Sequence, residues 1–145
     1  MADEPTPFQR ENMSLAQRAL QLYVGRDIEG LLALYHPDVV VTAPDFMNAG
    51  PFHGHEGYME WISRWNEAWD DFDFDLRAIE PVGERHVVLS ILVSGRGAGS
   101  GVEVEQMSYW VAEIRDKLGT YLEVLLTEER AFELARRREA DSGKR

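Results

Sequence analysis

The sequence predicts an α+β domain whose helices cover one face of an antiparallel sheet, and three observations carry that prediction. Apolar residues recur at helical spacing from about residue 7 to residue 70. From Phe72 the period changes to two, and four strand-like runs follow, joined by turns too short for crossover connections. A final helical pattern opens at Thr127.

Residues 7–24 bring Phe8, Leu15, Ala16, Ala19, Leu20, Tyr23 and Val24 near one side of a first helix. Gly25 is expected to close that helix in the left-handed conformation, and Asp27 to cap the next. Ile28, Leu31, Leu32 and Tyr35 keep helical spacing until Pro37, which lacks an amide hydrogen, ends the run. The β-branched trio Val39, Val40 and Val41 reads as a first strand. Two prolines and two glycines between Pro44 and Gly54 read as a loop, a common place for site residues. Residues 55–70 form a third helix with Tyr58, Trp61, Ile62, Trp65 and Trp69 at helical intervals. Phe72, Phe74, Leu76 and Ala78 then alternate with Asp73, Asp75, Arg77 and Ile79 in a half-buried strand. Residues 87–94 are apolar enough to be covered on much of both faces. The glycines from Gly95 to Gly101 could cradle a phosphate only if a helix followed; strand residues follow instead, so a hairpin or bulge turn is expected. Strands over residues 102–114 and 120–126 and a helix to about residue 140 complete the order.

Twenty-six acidic residues against 15 Lys and Arg give a formal charge of -11, which repels phosphate backbones and anionic lipid. Neither nucleic acid nor membrane is therefore expected as a partner. Arg136, Arg137, Arg138, Lys144 and Arg145 form a local basic tail that suits the dipole of the last helix. The chain has no Cys, which excludes disulfides and thiolate chemistry, and its first residues have no signal-peptide pattern. One soluble, cytoplasmic domain over residues 1–145 is expected, with a core at about 12–135, a polar leader and a basic tail.

Several local patterns share an order with a known family. They are Gly25-Arg26-Asp27-Ile28-Glu29 through Pro37-Asp38 to Pro44; Phe52-His53-Gly54-His55-Glu56-Gly57; Trp69-Asp70-Asp71-Phe72; the Gly95 to Gly101 turn; and Glu129-Arg130-Ala131-Phe132-Glu133. In this order they resemble the nuclear transport factor 2-like superfamily and, within it, the SnoaL-like proteins. The resemblance implies a cone-shaped roll, in which a strongly curved antiparallel sheet wraps on N-terminal helices, with a short C-terminal helix. It also implies a pocket inside the cone and a homodimer. The superfamily includes isomerases, cyclases, dehydratases, epoxide hydrolases and non-catalytic modules, so the fold leaves the activity open.

Anchored on Asp27-Ile28-Glu29, the catalytic Tyr of ketosteroid isomerase falls at Ala19 and its general-base Asp at Ala43. Its second acid falls within Gln106 to Trp110, which holds no carboxylate, so that activity is disfavoured. His53 and His55, with Glu56 adjacent, could be sketched as metal ligands, but a metal site needs three or four ligands and no fixed-spacing partner motif is present, so no metal or other cofactor is expected. No Gly-x-Ser-x-Gly elbow precedes a helix, and nucleophilic catalysis is unsupported. The groups left for acid–base work are Asp45, Glu105 and His53; a carboxylate among Trp61, Trp65 and Phe52 would titrate nearer neutrality. Alternation puts Val102, Val104, Gln106, Ser108, Trp110 and Ala112 on one strand face and Glu103, Glu105, Tyr109 and Glu113 on the other, unless a bulge exchanges them. The expected pocket lining is Tyr23, Tyr35, Phe52, Trp61, Trp65, Gln106, Ser108 and Trp110, suited to a small apolar or aromatic metabolite. Two functions stay open: such a binder, with cofactor-independent isomerisation, cyclisation or dehydration, or a non-catalytic dimerisation or interaction module with a filled core.

Overall fold

The computed structural model describes residues 4–44 and 49–142. Helix α1 (Pro7–Val24) starts in a capping box: Thr6 Oγ1 accepts from the Gln9 amide, and the Thr6 amide donates to Gln9 Oε1. It closes through a pair of amides, Arg26 N donating to Tyr23 O and Asp27 N to Leu22 O. In that closure Gly25 remains right-handed at φ -76° and Arg26 takes the left-handed position at φ 60°, one residue later than the glycine suggests. Asp27 accepts from the Gly30 amide at 3.0 Å and starts α2 (Ile28–Leu32).

Six strands follow, with α3 (Gly54–Ala68) between the second and third. They are β1 (Tyr35–Ala43), β2 (Ala49–His53), β3 (Trp69–Val82), β4 (His86–Gly97), β5 (Glu103–Arg115) and β6 (Leu118–Leu125), and α4 (Glu128–Ser142) ends the fold. The sheet is curved and unclosed, in the order β2-β1-β6-β5-β4-β3. Every pairing is antiparallel except β1 with β6, which run parallel. Those two strands are joined through most of the chain, so no hairpin constrains their direction. Two elements depart from the sequence reading. The stretch read as a loop contains β2, an edge strand where Pro51 removes no ladder bond that an inner strand would need. Tyr35 belongs to β1 rather than to the second helix.

Alternation along β4 and β5 divides two cores. Val87, Leu89, Ile91, Val93, Ser108 and Trp110 face α1 and α3, whereas Val88 and Val111 face Leu125 of β6 and Ala131, Leu134 and Ala135 of α4. The register therefore keeps Ser108 and Trp110 inside the cone, with no slip at the glycine turn. Among the described residues, no helix is long and apolar enough to cross a membrane.

Candidate functional site

The interior of the cone is mostly filled by rings. Trp61 and Trp65 of α3 are fully buried, with centroids 5.4 Å apart; Trp65 lies 5.6 Å from Phe74, which lies 5.3 Å from both Trp110 and Tyr23. Trp110 Nε1 donates to Ser108 Oγ at 2.8 Å, and Ser108 Oγ donates to the Ile91 carbonyl at 3.2 Å. Ser108 thus satisfies an indole N–H that would otherwise be orphaned.

Beyond this block α1 presents small residues to the sheet, and space remains. A lobe of about 30 Å³ is lined by Ala16, Ala19, Leu20, Tyr23, Tyr35, Tyr58, Leu89, Trp110, Ala112 and Leu122. A second lobe of about 30 Å³ shares Ala16, Ala19, Tyr35 and Ala112 and adds Leu15, Leu34, Ile114, Lys117 and Gly119.

Three phenols supply the polarity of the first lobe. Tyr58 donates to the Tyr35 hydroxyl at 3.2 Å, which leaves the Tyr35 proton for another acceptor. The Tyr23 hydroxyl is buried, with the residue 5% exposed, and has no hydrogen-bond partner among the described residues. Burial pushes the Tyr23 hydroxyl above the ordinary phenol range, and nearby Tyr35 adds to the effect. Burial likewise raises Tyr35, against the lowering effect of the Tyr58 hydrogen bond, and raises Tyr58 strongly. All three groups are therefore neutral at physiological pH and act as donors.

Of the residues expected at a site, Tyr23, Tyr35 and Trp110 line these lobes. Phe52, Trp61, Trp65 and Ser108 are buried in the packed interior, and neither lobe is lined by them. Gln106 is exposed and donates to the Met107 carbonyl. His53 is exposed at the start of α3 and makes no capping bond. Glu105 is exposed in an open groove of about 540 Å³ near the β4–β5 turn, with Asp71, Asp73, Arg96 and Glu103. Asp45 lies outside the described residues. No group of three or more His, Asp or Glu able to hold a metal ion occurs among the described residues. Tyr58 belonged to the aromatic pattern of α3, but nothing in the sequence distinguishes it from its packed neighbours. Ala16, Ala19 and Ala112, which create the space, carry no chemical signal.

A second polar cluster lies on the outer face, between the sheet and α4. His86, 1% exposed, places Nδ1 2.5 Å from Glu139 Oε2 and Nε2 3.3 Å from Glu113 Oε2. Glu139 also accepts from the amides of Glu84 and Arg85, tying α4 to the β3–β4 turn. Glu113 is approached by Arg115 at 3.2 Å, Arg138 at 3.7 Å and Thr120 at 2.6 Å. Hydrogen bonding from His86 holds the Glu113 carboxyl well below the usual range, outweighing the raising effect of burial, with Thr120 and Arg115 adding to it. The cluster fastens α4 to the sheet, as expected of a structural group, although His86 Nε2 and Arg138 Nε lack hydrogen-bond geometry to any partner among the described residues.

A curved, unclosed sheet wrapped on N-terminal helices, with one short helix behind it, is the nuclear transport factor 2-like fold. The model of the SnoaL-like domain family matches residues 16–119, and the chain belongs to that family. Solved structures show the same fold at low identity. TerC, co-crystallised with polyporic acid, is 22% identical, with a TM-score of 0.71 over 86% of this chain and 98% of its own. A nuclear transport factor 2-like protein of Burkholderia pseudomallei K96243 is 19% identical, with a TM-score of 0.73 over 86% and 97%. A Mycobacterium tuberculosis protein in complex with estradiol-17β-hemisuccinate is 15% identical, with a TM-score of 0.66 over 82% and 95%. No protein with a curated description matches the chain in sequence.

Proposed function

We propose that the protein binds a small, largely apolar molecule through one acceptor oxygen, a carbonyl, held by the Tyr23 and Tyr35 hydroxyls inside the cone. The observation that carries this reading is the Tyr23 hydroxyl, buried at the wall of a cavity with no partner among the described residues. A buried donor left unpaired costs about 1–3 kcal/mol, which a ligand oxygen would relieve. At about 10–15 Å³ for each water-sized occupant, the two lobes suit a ligand of a few non-hydrogen atoms. The ligands crystallised with TerC and with the M. tuberculosis protein support a binding role for this kind of cone.

Neutral phenols polarise a carbonyl but do not remove a proton from carbon. No carboxylate or imidazole lines either lobe among the described residues. Turnover by isomerisation, cyclisation or dehydration therefore needs a base from elsewhere. Asp45, two residues beyond the end of β1, is the base this reading retains, since Glu105 and His53 are exposed outside the lobes.

The second reading, a module with a filled core, is favoured by the ring block that occupies most of the cone. A homodimer would then use the part of the outer sheet face that α4 leaves half-covered, around Leu92, Met107 and Tyr109. Tyr23→Phe separates the two readings. The hydroxyl has no partner to lose, so the variant is expected to fold at least as stably as the parent. In a titration followed by the methyl signals of Ala16, Ala19 and Ala112, 2-pentanone saturates the parent. It binds Tyr23→Phe about tenfold more weakly, the loss of one hydrogen bond. Shifts that never saturate, or equal affinities in the two proteins, refute the binding reading.

A further inference from the structure

Lys117 is the one charged residue that lines either lobe among the described residues. With Asp116 it forms the two-residue turn that brings Arg115 of β5 opposite Leu118 of β6. Both turn residues have positive φ, 51° at Asp116 and 67° at Lys117. Such a hairpin turn strongly prefers Gly at its second position, so a lysine there is held at a conformational cost. Its side chain is 77% exposed, and its ammonium is 3.5 Å from Glu11 of α1, an exposed pair that adds little stability. Neither the turn nor the ion pair accounts for this residue at this place. Its position does: it lines the second lobe with a largely exposed side chain, while Tyr23 lines the first lobe, across the shared Ala16, Ala19, Tyr35 and Ala112.

We infer that Lys117 recognises an anionic group on the ligand, and that the molecule taken is a short-chain keto acid. Its carbonyl oxygen accepts from Tyr23 and Tyr35, its apolar chain runs past Ala16, Ala19 and Ala112, and its carboxylate meets Lys117 at the mouth. The inference rests on the binding reading above and adds the charge of the substrate class. A chain of net charge -11 repels anions at long range, so selection of an acid must come from a local cation and must weaken with salt. Glu11 competes for the same ammonium and so limits affinity.

The test uses the whole protein at low salt and two probes of nearly equal shape, 4-oxopentanoate and 2-pentanone, followed by the same alanine methyl signals. The acid is expected to bind about fivefold more tightly than the ketone, and the difference to vanish in 0.5 M sodium chloride as an exposed ion pair requires. Lys117→Gln removes the advantage of the acid, so that the two probes bind equally. Lys117→Gly does the same while raising the thermal midpoint, an outcome a merely structural lysine would not give. Glu11→Gln tightens the acid about twofold and leaves the ketone unchanged. An acid that binds no better than the ketone, or an advantage that survives in Lys117→Gln, overturns the role of Lys117 while the tyrosine site stands. If neither probe binds, both readings fall.

Discussion

Glu113→Gln tests how the outer cluster contributes to stability. The substitution keeps the shape of the side chain and an acceptor for Thr120 but removes the charge that faces His86 at 3.3 Å, Arg115 at 3.2 Å and Arg138 at 3.7 Å. At an effective dielectric of about 20, one pair at that distance has a gross attraction of about 5 kcal/mol, most of which desolvation offsets. Disrupting a buried pair costs about 3–5 kcal/mol, and the retained hydrogen bonds reduce that to an expected 2–4 kcal/mol at pH 7. For a chain of this length the thermal midpoint should fall by roughly 5–15 °C. The pH dependence fixes the cause. Because the Glu113 carboxyl is held below its ordinary value, its contribution is complete above about pH 4.5 and is lost as pH falls toward its folded value. The gap between parent and variant should therefore narrow below about pH 4.5, at up to about 1.4 kcal/mol per pH unit. Urea unfolding of both proteins at a series of pH values measures it. A difference under about 0.5 kcal/mol at pH 7, or one that stays constant down to pH 3, refutes the assignment.

Arg26→Gly should stabilise the protein by about 0.5–1 kcal/mol, since glycine adopts the left-handed conformation at the end of α1 without a Cβ penalty; thermal unfolding reads the shift. Ser108→Ala should cost about 1–3 kcal/mol, because it leaves the Trp110 indole N–H buried and unpaired, and the midpoint of urea unfolding followed by tryptophan fluorescence reports it.

Much of the architecture was legible because it depends on local pattern. The spacing of apolar residues marks α1 to its observed ends, the period of two marks β3 and β5, and an unbroken apolar run marks β4. Where long-range pairing decides the outcome, the pattern is insufficient. Gly50 and Pro51 signal a loop, yet their neighbours Ala49, Phe52 and His53 pair with Ala43, Val41 and Val40 of β1, and β2 forms. Gly25 signals a left-handed cap, but the hydrogen bonds of the closure put Arg26 there. The candidate site was legible only in part, for a related reason. Helical spacing shows that Tyr58, Trp61 and Trp65 point inward, but not whether an inward ring meets another ring or a space. That depends on Ala16, Ala19 and Ala112, whose side chains are too small to fill the gap between α1 and the sheet. The outer cluster was invisible because His86, Glu113 and Glu139 are separated by 26 residues or more: the pairing of β4 with β5 brings the first two together, and only the docking of α4 adds the third.

The most direct measurement is a crystal structure of the protein equilibrated with 2-pentanone. Electron density for the ketone is expected in the lobe between α1 and β5, with its oxygen about 2.6–3.2 Å from the hydroxyl oxygen of Tyr23. Lobes closed by side chains, or ketone bound only in the open groove beside Glu105, would contradict it.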